Sequence, residues 1–322
     1  MKYSKDELEK MTLKQKEEVA TKEDTCYDTL KILASYSNSS ILKCIMDNKA
    51  LESSNSKVPE VKRVIVKNPS ATLEILRLFL TEGEGEIIQE ALASREDITE
   101  DMLDKLGDSK KCSVRQNVAR NNTTTDRILL RLARDECTMR GVSGNENASE
   151  NTLIAIVKSL KSPELIHLEE NTLINISSHK NSTSKVLQLV TNKALRLTPH
   201  CSLECLKSIA KNKNTPDTTL RRLARVNCIN VRQAVACNKN ISVKTLEKLV
   251  GISGIFVKLI IDLGLWKGRS SEGMHEFALR NIIIGNDKAT KTIARIILSD
   301  DNPHLVSWVS KNRDLIKERF NL

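Results

Sequence analysis

An all-α solenoid of short, degenerate repeats is the fold class this sequence predicts, and three observations carry the prediction. Two segments, VRQNVARNNTTTDRILLRLARD from Val114 and VRQAVACNKNISVKTLEKLV from Val231, share V-R-Q-x-V-A-x-N followed by a Leu pair three residues apart. Aliphatic residues recur at the same template positions along nearly the whole chain. The 322 residues include only 11 Gly and 6 Pro, too few for a turn-rich all-β fold. At 39% hydrophobic, 29% charged and 3% aromatic, the composition supports a core of Leu, Ile, Val and Ala.

The first element of each repeat is a short helical turn. Its aliphatic residue stands immediately before the template Ala, at Val19, Ile65, Leu92, Val118, Val142, Ile176, Ile209, Val235, Ile283 and Val309. Two residues after the Ala position come Asn68, Asn121, Asn145, Asn212, Asn238, Asn286 and Asn312, with Lys22, Arg95 and His179 as replacements. Asn suits the left-handed conformation that closes a short helix. N-cap residues follow at Thr72, Thr99, Thr125, Ser149, Thr183 and Ser242; in one repeat the cap moves back to Thr215, because Pro216 fits the first helical position. Glu100, Asp126, Glu150 and Asp217 come next, where a helix N-terminus favours negative charge.

A longer helix completes the repeat. One column holds Leu30, Leu76, Leu103, Leu129, Leu153, Leu187, Leu220, Leu246 and Ala294. Three residues on stand Leu33, Phe79, Leu106, Leu132, Ile156, Val190, Leu223, Leu249 and Ile297, and an i, i+3 pair marks a buried helix face. A unit of roughly 24 to 34 residues cannot bury this face alone, so about ten or eleven of them must stack over a shared core. The array is read as one domain over residues 1–322. Residues 1–60 are an N-terminal cap with degenerate repeats, 61–250 the best-formed repeats, 251–280 an irregular segment and 281–322 the C-terminal repeats and cap. The template fails over 41–60 and again over 251–277.

The pattern V-R-x-x-V-A-x-N-x-x-T-P-x-x-x-L-x-x-L-A, matched best by SIAKNKNTPDTTLRRLAR, resembles the leucine-rich repeat variant family over Val61 to Val250. HEAT and armadillo arrays are similar, but their units of about 40 to 47 residues are longer. The resemblance implies a right-handed superhelix of alternating α- and 3₁₀-helices and no defined activity. The family's founding type has a cysteine-rich iron–sulfur segment ahead of its repeats. Only Cys26 and Cys44 occur in that region here, unclustered, so no cluster is carried over.

The eight cysteines are scattered without C-x-x-C, which predicts reduced, packed thiols and neither a zinc site nor a disulfide framework. His200, Cys201 and Cys205 are the one tight grouping of metal-type residues, but Cys205 falls in a core column. No cofactor is expected. Neither G-x-S-x-G, nor a phosphate-binding glycine loop, nor H-E-x-x-H is present, and the chain reads as non-enzymatic. The charged N-terminus lacks a signal-type apolar core and Ile252 to Trp266 is interrupted by charges, so a cytoplasmic protein without a membrane span is expected.

Charge carries the functional reading. The net charge is +10, yet residues 82–104 hold nine acids and one base, whereas residues 201–250 hold ten bases and three acids. Arg115, Arg232 and Arg280 share a template column with Lys62 beside them, and stacking would align them as a stripe. Arg221, Arg222 and Arg225 lie on a longer helix. These six arginines are the candidate partner-binding residues. They point to a scaffold for a protein partner of acidic character or, as the alternative, to double-stranded nucleic-acid binding in the manner of helical-repeat DNA glycosylases. The structural reading of the same column is that long Arg stems cover a shallow apolar seam.

Overall fold

The computed structural model describes residues 1–52, 55–81, 84–160, 166–196, 203–250, 282–298 and 303–322, and every regular element among them is a helix. Contacts gather the chain into two compact units, Met1–Thr152 and Leu153–Leu322.

The first unit begins with α1 (Lys5–Glu9), α2 (Leu13–Thr21), α3 (Tyr27–Ala34) and α4 (Ser39–Met46), then a 3₁₀ turn, Lys49–Glu52. α1 and α2 each open on a reciprocal capping box, Ser4 with Glu7 and Thr12 with Gln15. Next come α5 (Val58–Lys67), α6 (Leu73–Arg77) with the 3₁₀ turn Leu78–Leu80, α7 (Glu86–Ala93), α8 (Glu100–Gly107), α9 (Cys112–Arg120), α10 (Asp126–Leu132) and α11 (Met139–Gly144). Odd-numbered helices pack in succession, α1 on α3 and so on to α11, while α2, α4 and α6 form a second row that α8 and α10 continue. Two rows are what the paired apolar blocks of the sequence require.

The chain continues through α12 (Glu150–Ser159). The second unit holds α13 (Ile166–Ser178), α14 (Ser184–Ala194), α15 (Leu203–Lys211), α16 (Asp217–Leu223), α17 (Ile229–Ala236) and a helix over residues 243–250. Here α13, α15 and α17 make one row, and α14 packs on α16. Helices Lys291–Leu298 and Pro303–Phe320 pack against each other. Among the described residues no helix is long and apolar enough to cross a membrane.

All three aliphatic columns are core: no member is more than 5% exposed, from Val19 at 5% to Leu30, Leu129, Leu220 and Ile297 at 0%. Burying one such side chain is worth about 1.5–3 kcal/mol, and the columns place three of them in nearly every repeat.

Local details depart from expectation in several places, and Thr99 and Thr125 stand at N-cap positions without a side-chain cap bond. The leading helices of the repeats are α-helices, and among the described residues 3₁₀ geometry occurs only at Lys49–Glu52 and Leu78–Leu80. Their core residues, such as Val114 and Val118, are spaced i, i+4, which an α-helix brings to one face and a 3₁₀-helix does not. The Asn column is not left-handed. Asn68, Asn121 and Asn145 have φ of −73°, −67° and −80° with extended ψ, and among the described residues the one non-glycine residue with positive φ is Asn321. Thr215 is buried and does not cap α16; Pro216 occupies the N-cap position itself. Asn312 lies within the continuous helix Pro303–Phe320, so the last repeat has no turn there.

The region over 41–60 turns out to keep half of the template. Ile41, Ile45 and Asn48 occupy the leading-helix columns of α4, and only the trailing helix is lost, reduced to the 3₁₀ turn Lys49–Glu52. The irregular segment 251–277 lies outside the described residues.

Candidate interaction surface

The Asn column connects consecutive repeats. A helix C-terminus leaves backbone carbonyls without intrahelical donors, and a carboxamide offers two N–H groups and an acceptor. In the first unit Asn48 Nδ2 donates to the carbonyls of Ala20 and Lys22 at 2.7 and 2.9 Å, and Asn68 to those of Ala34 and Tyr36 at 2.8 Å each. Asn121 donates to Ala93 and Arg95 at 2.7 and 2.6 Å, and Asn145 to Ala119 and Asn121 at 2.9 Å each. In the second unit Asn212 reaches Ser177, Asn238 reaches Ala210 and Asn212, and Asn286 reaches Ala236, all at 2.7–2.9 Å.

Each amide oxygen also accepts the N–H two residues on, at 2.8–3.0 Å for Ser70, Thr123, Asn147, Asn214, Asn240 and Lys288. One side chain therefore closes its own turn and holds the neighbour. Arg95 keeps the outward half of this role, its guanidinium donating to the carbonyls of Val66 and Asn68. His179 keeps the local half, its Nδ1 accepting the Asn181 N–H at 3.1 Å.

A second column, unnoticed in the sequence, lies two residues further along. Asn147 donates to the Asn122 and Thr124 carbonyls at 2.7 and 3.0 Å, Asn214 to Ser182 at 2.9 Å, and Asn240 to Thr215 at 3.2 Å and to Lys213. Behind it, buried hydroxyls of Thr25, Thr124 and Thr215 donate to the carbonyls six residues earlier, those of Val19, Val118 and Ile209. The repeat spacing of N-x-N, at Asn145/Asn147, Asn212/Asn214 and Asn238/Asn240, is the signal that marks this column.

Trailing helices are tied by acids. Asp126 Oδ1 accepts the Ser149 N–H at 2.8 Å and the Thr152 hydroxyl at 2.6 Å; Asp217 Oδ1 accepts the Ser242 N–H and the Thr245 hydroxyl, both at 2.8 Å. Burial raises the pKa of each carboxyl, but the hydrogen bonds outweigh it and hold both below the ordinary aspartate value. These acids cap the following repeat's helix as well as standing at the start of their own.

The candidate arginines divide sharply. Arg115 is turned onto the protein, its Nε 2.6 Å from an Asp135 carboxylate oxygen and its Nη1 donating to the Ser109 carbonyl at 2.7 Å. Its column-mate Lys62 pairs with Glu84 at 2.8 Å, both half-buried. Arg232 is only 3% exposed. Arg280 lies outside the described residues. Arg221 pairs with Asp217 at 2.9 Å, Arg222 donates to Asn192 at 2.7 Å, and Arg225 is exposed. In the first unit, Glu100, Asp104 and Asp108 within or beside the acidic stretch meet Arg127 and Arg131 of the next repeat at 2.8–3.2 Å.

Outward-facing cations also stand on the turns of the second unit. The position after the Asn column is Glu23, Lys49, Pro69, Glu96, Asn122 and Glu146 in the first unit, but Lys180, Lys213 and Lys239 in three successive turns of the second, with Asp287 following Asn286. Four of the first-unit residues satisfy one another in pairs, Lys49 with Glu23 at 2.8 Å and Asn122 with Glu96 at 3.2 Å. Lys213 and Lys239 instead repeat one charge on adjacent turns. They and Lys211 are exposed, with no ion pair among the described residues. A groove of about 410 Å³ between the first two turns is lined by Ser178, His179, Lys180, Lys211, Lys213 and Asn214, and its lining includes no carboxylate.

Cys205 is fully buried, and burial pushes its thiol up to about 12, as a core role requires. His200 and Cys201 lie outside the described residues. Among the described residues no group of three or more His, Cys, Asp or Glu is placed to hold a metal ion. The expectation of uniformly reduced cysteines fails at Cys112 and Cys137, which form a disulfide across 25 residues, near one repeat period. Such a separation brings two residues to neighbouring positions on adjacent repeats, and that was the legible clue. No protein-family model matches the chain, and no curated protein matches it.

Proposed function

We propose that the chain is a non-enzymatic helical-repeat scaffold, as its resemblance to leucine-rich repeat variant proteins suggests, and that it binds an acidic protein partner along the turns of its second unit. The observation that carries this reading is the column of exposed Lys213 and Lys239, with Lys211 beside it, on turns whose backbones are pinned by two Asn columns. Fixed spacing matters because like charges on rigid neighbouring turns build a positive potential that steers and orients an acidic surface. The groove beside Lys211 and Lys213 offers seats for carboxylate side chains. Arg115 and Arg232 have intramolecular roles and add little to this potential.

A labelled poly-glutamate chain is the probe, read by fluorescence anisotropy on the full-length protein. The variant carrying Lys211→Glu, Lys213→Glu and Lys239→Glu should bind at least about tenfold more weakly, the loss of a few surface charge contacts. Unchanged binding would overturn the assignment of the surface. A short DNA duplex run in parallel tests the nucleic-acid alternative, which requires tight duplex binding that collapses between about 50 and 200 mM salt.

A further inference from the structure

The first unit holds one covalent joint. Cys112 opens α9 and Cys137 stands two residues ahead of α11, with Cα atoms 6.0 Å apart and both residues half-exposed. Cys26, Cys44, Cys205, Cys228 and Cys237 are unpaired among the described residues, so the pairing is selective.

The element held there is short and glycine-rich. α11 runs only from Met139 to Gly144, contains Gly141 and Gly144, and its N-cap Thr138 makes no side-chain cap bond. Glycine inside a helix costs about 1 kcal/mol relative to alanine, and isolated helices of a turn or two are unstable. Gly141 cannot simply be exchanged for a better helix former, because a Cβ there would meet Ala119 Cβ at 3.0 Å and Arg120 Cγ at 3.3 Å. Close approach to α9 therefore fixes a residue that weakens the helix, and the sulfur bridge lies at the end where the helix begins.

We propose that Cys112 and Cys137 form a reversible redox staple on the α9–α11 joint, closed by exchange with a low-molecular-weight disulfide and opened by a thiol reductant. In the closing reaction one protein thiolate attacks a sulfur of R–S–S–R, forming a mixed disulfide and releasing RS⁻, which takes up the proton the protein thiol lost. The second thiolate attacks the protein-bound sulfur of that mixed disulfide, forming the Cys112–Cys137 bond and expelling a second RSH. Two protein thiols lose two electrons in total, and the small disulfide gains them. Partial exposure of both residues gives the exchange partner access, while burial keeps Cys205 out of it. Opening the staple removes the constraint ahead of α11 and raises its local unfolding.

Full-length protein is equilibrated with glutathione disulfide or with dithiothreitol, then subjected to peptide mapping and amide hydrogen exchange. The oxidised sample should give a linked peptide pair containing Cys112 and Cys137, and amides of Met139–Gly144 should exchange about tenfold faster after reduction. Cys112→Ser and Cys137→Ser should each exchange at the reduced rate under both conditions. Absence of the linked pair under glutathione disulfide overturns the proposal, and so does an unchanged exchange rate in α11 once the pair has formed.

Discussion

Asn121 donates to two carbonyls of the preceding repeat and accepts one N–H of its own turn, so its substitutions separate the roles of the column. Asn121→Ala should lower stability in urea unfolding by about 1–3 kcal/mol, the cost of leaving a buried polar group unpaired. Asn121→Asp should cost more at neutral pH, because a carboxylate keeps the acceptor but sets negative charge against two carbonyl oxygens. A loss for Asn121→Asp no larger than that for Asn121→Ala would mean that the carboxylate meets no repulsion from those carbonyls. Position was legible for this column and purpose was not. Asn favours turns for local reasons, and no local rule reveals that a side chain is spent on the repeat before it. Arg95 illustrates the limit: its charge hides a donor geometry that matches the amide it replaces. Asn48 was missed because Met46 stands where the template has Ala, although Ile41 and Ile45 occupy its core columns.

Helices are joined in pairs by the acids that open them, and this gives stability a pH dependence. Folded Asp126 and Asp217 have lowered pKa values, so their contribution is complete above the unfolded value of about 3.9 and is lost as pH falls through the depressed folded value. Asp217→Asn should flatten the acid limb of a stability–pH profile measured by urea unfolding; an unchanged limb would refute the latch. Gly141→Ala tests the tight α9–α11 approach. On propensity alone it should stabilise by about 1 kcal/mol, yet the Ala119 contact reverses the sign and predicts a net loss of similar size in thermal unfolding. Helix identity and burial were readable because periodicity reports burial directly. Pairing between rows was not, since packing partners lie a full repeat apart and the leading and trailing helices look alike in the first 50 or so residues.

Across the molecule, turn charges that pair within the first unit are left unpaired, among the described residues, at Lys213 and Lys239 of the second. Poly-glutamate affinity of the whole chain should therefore fall steeply as salt rises past about 0.15 M, where the screening length is about 8 Å. A flat response would point to apolar contact in place of the lysine column. The sequence revealed the basic excess of residues 201–250, but not which cations are tied down within the protein. Arg115 and Arg232 sit where a column faces the protein, whereas Arg225 and the turn residues Lys213 and Lys239 are exposed. The Asn column has one more property, which is direction. Every described inter-repeat bond it makes runs from a later residue to an earlier one, Asn68 to Ala34, Asn145 to Ala119, Asn238 to Ala210. A ribosome delivers the acceptors first. Each new repeat leaving the exit tunnel at about 5–20 residues per second meets carbonyls already in place, so the seam can close from the N-terminal side as synthesis proceeds, without waiting for chain still to be made.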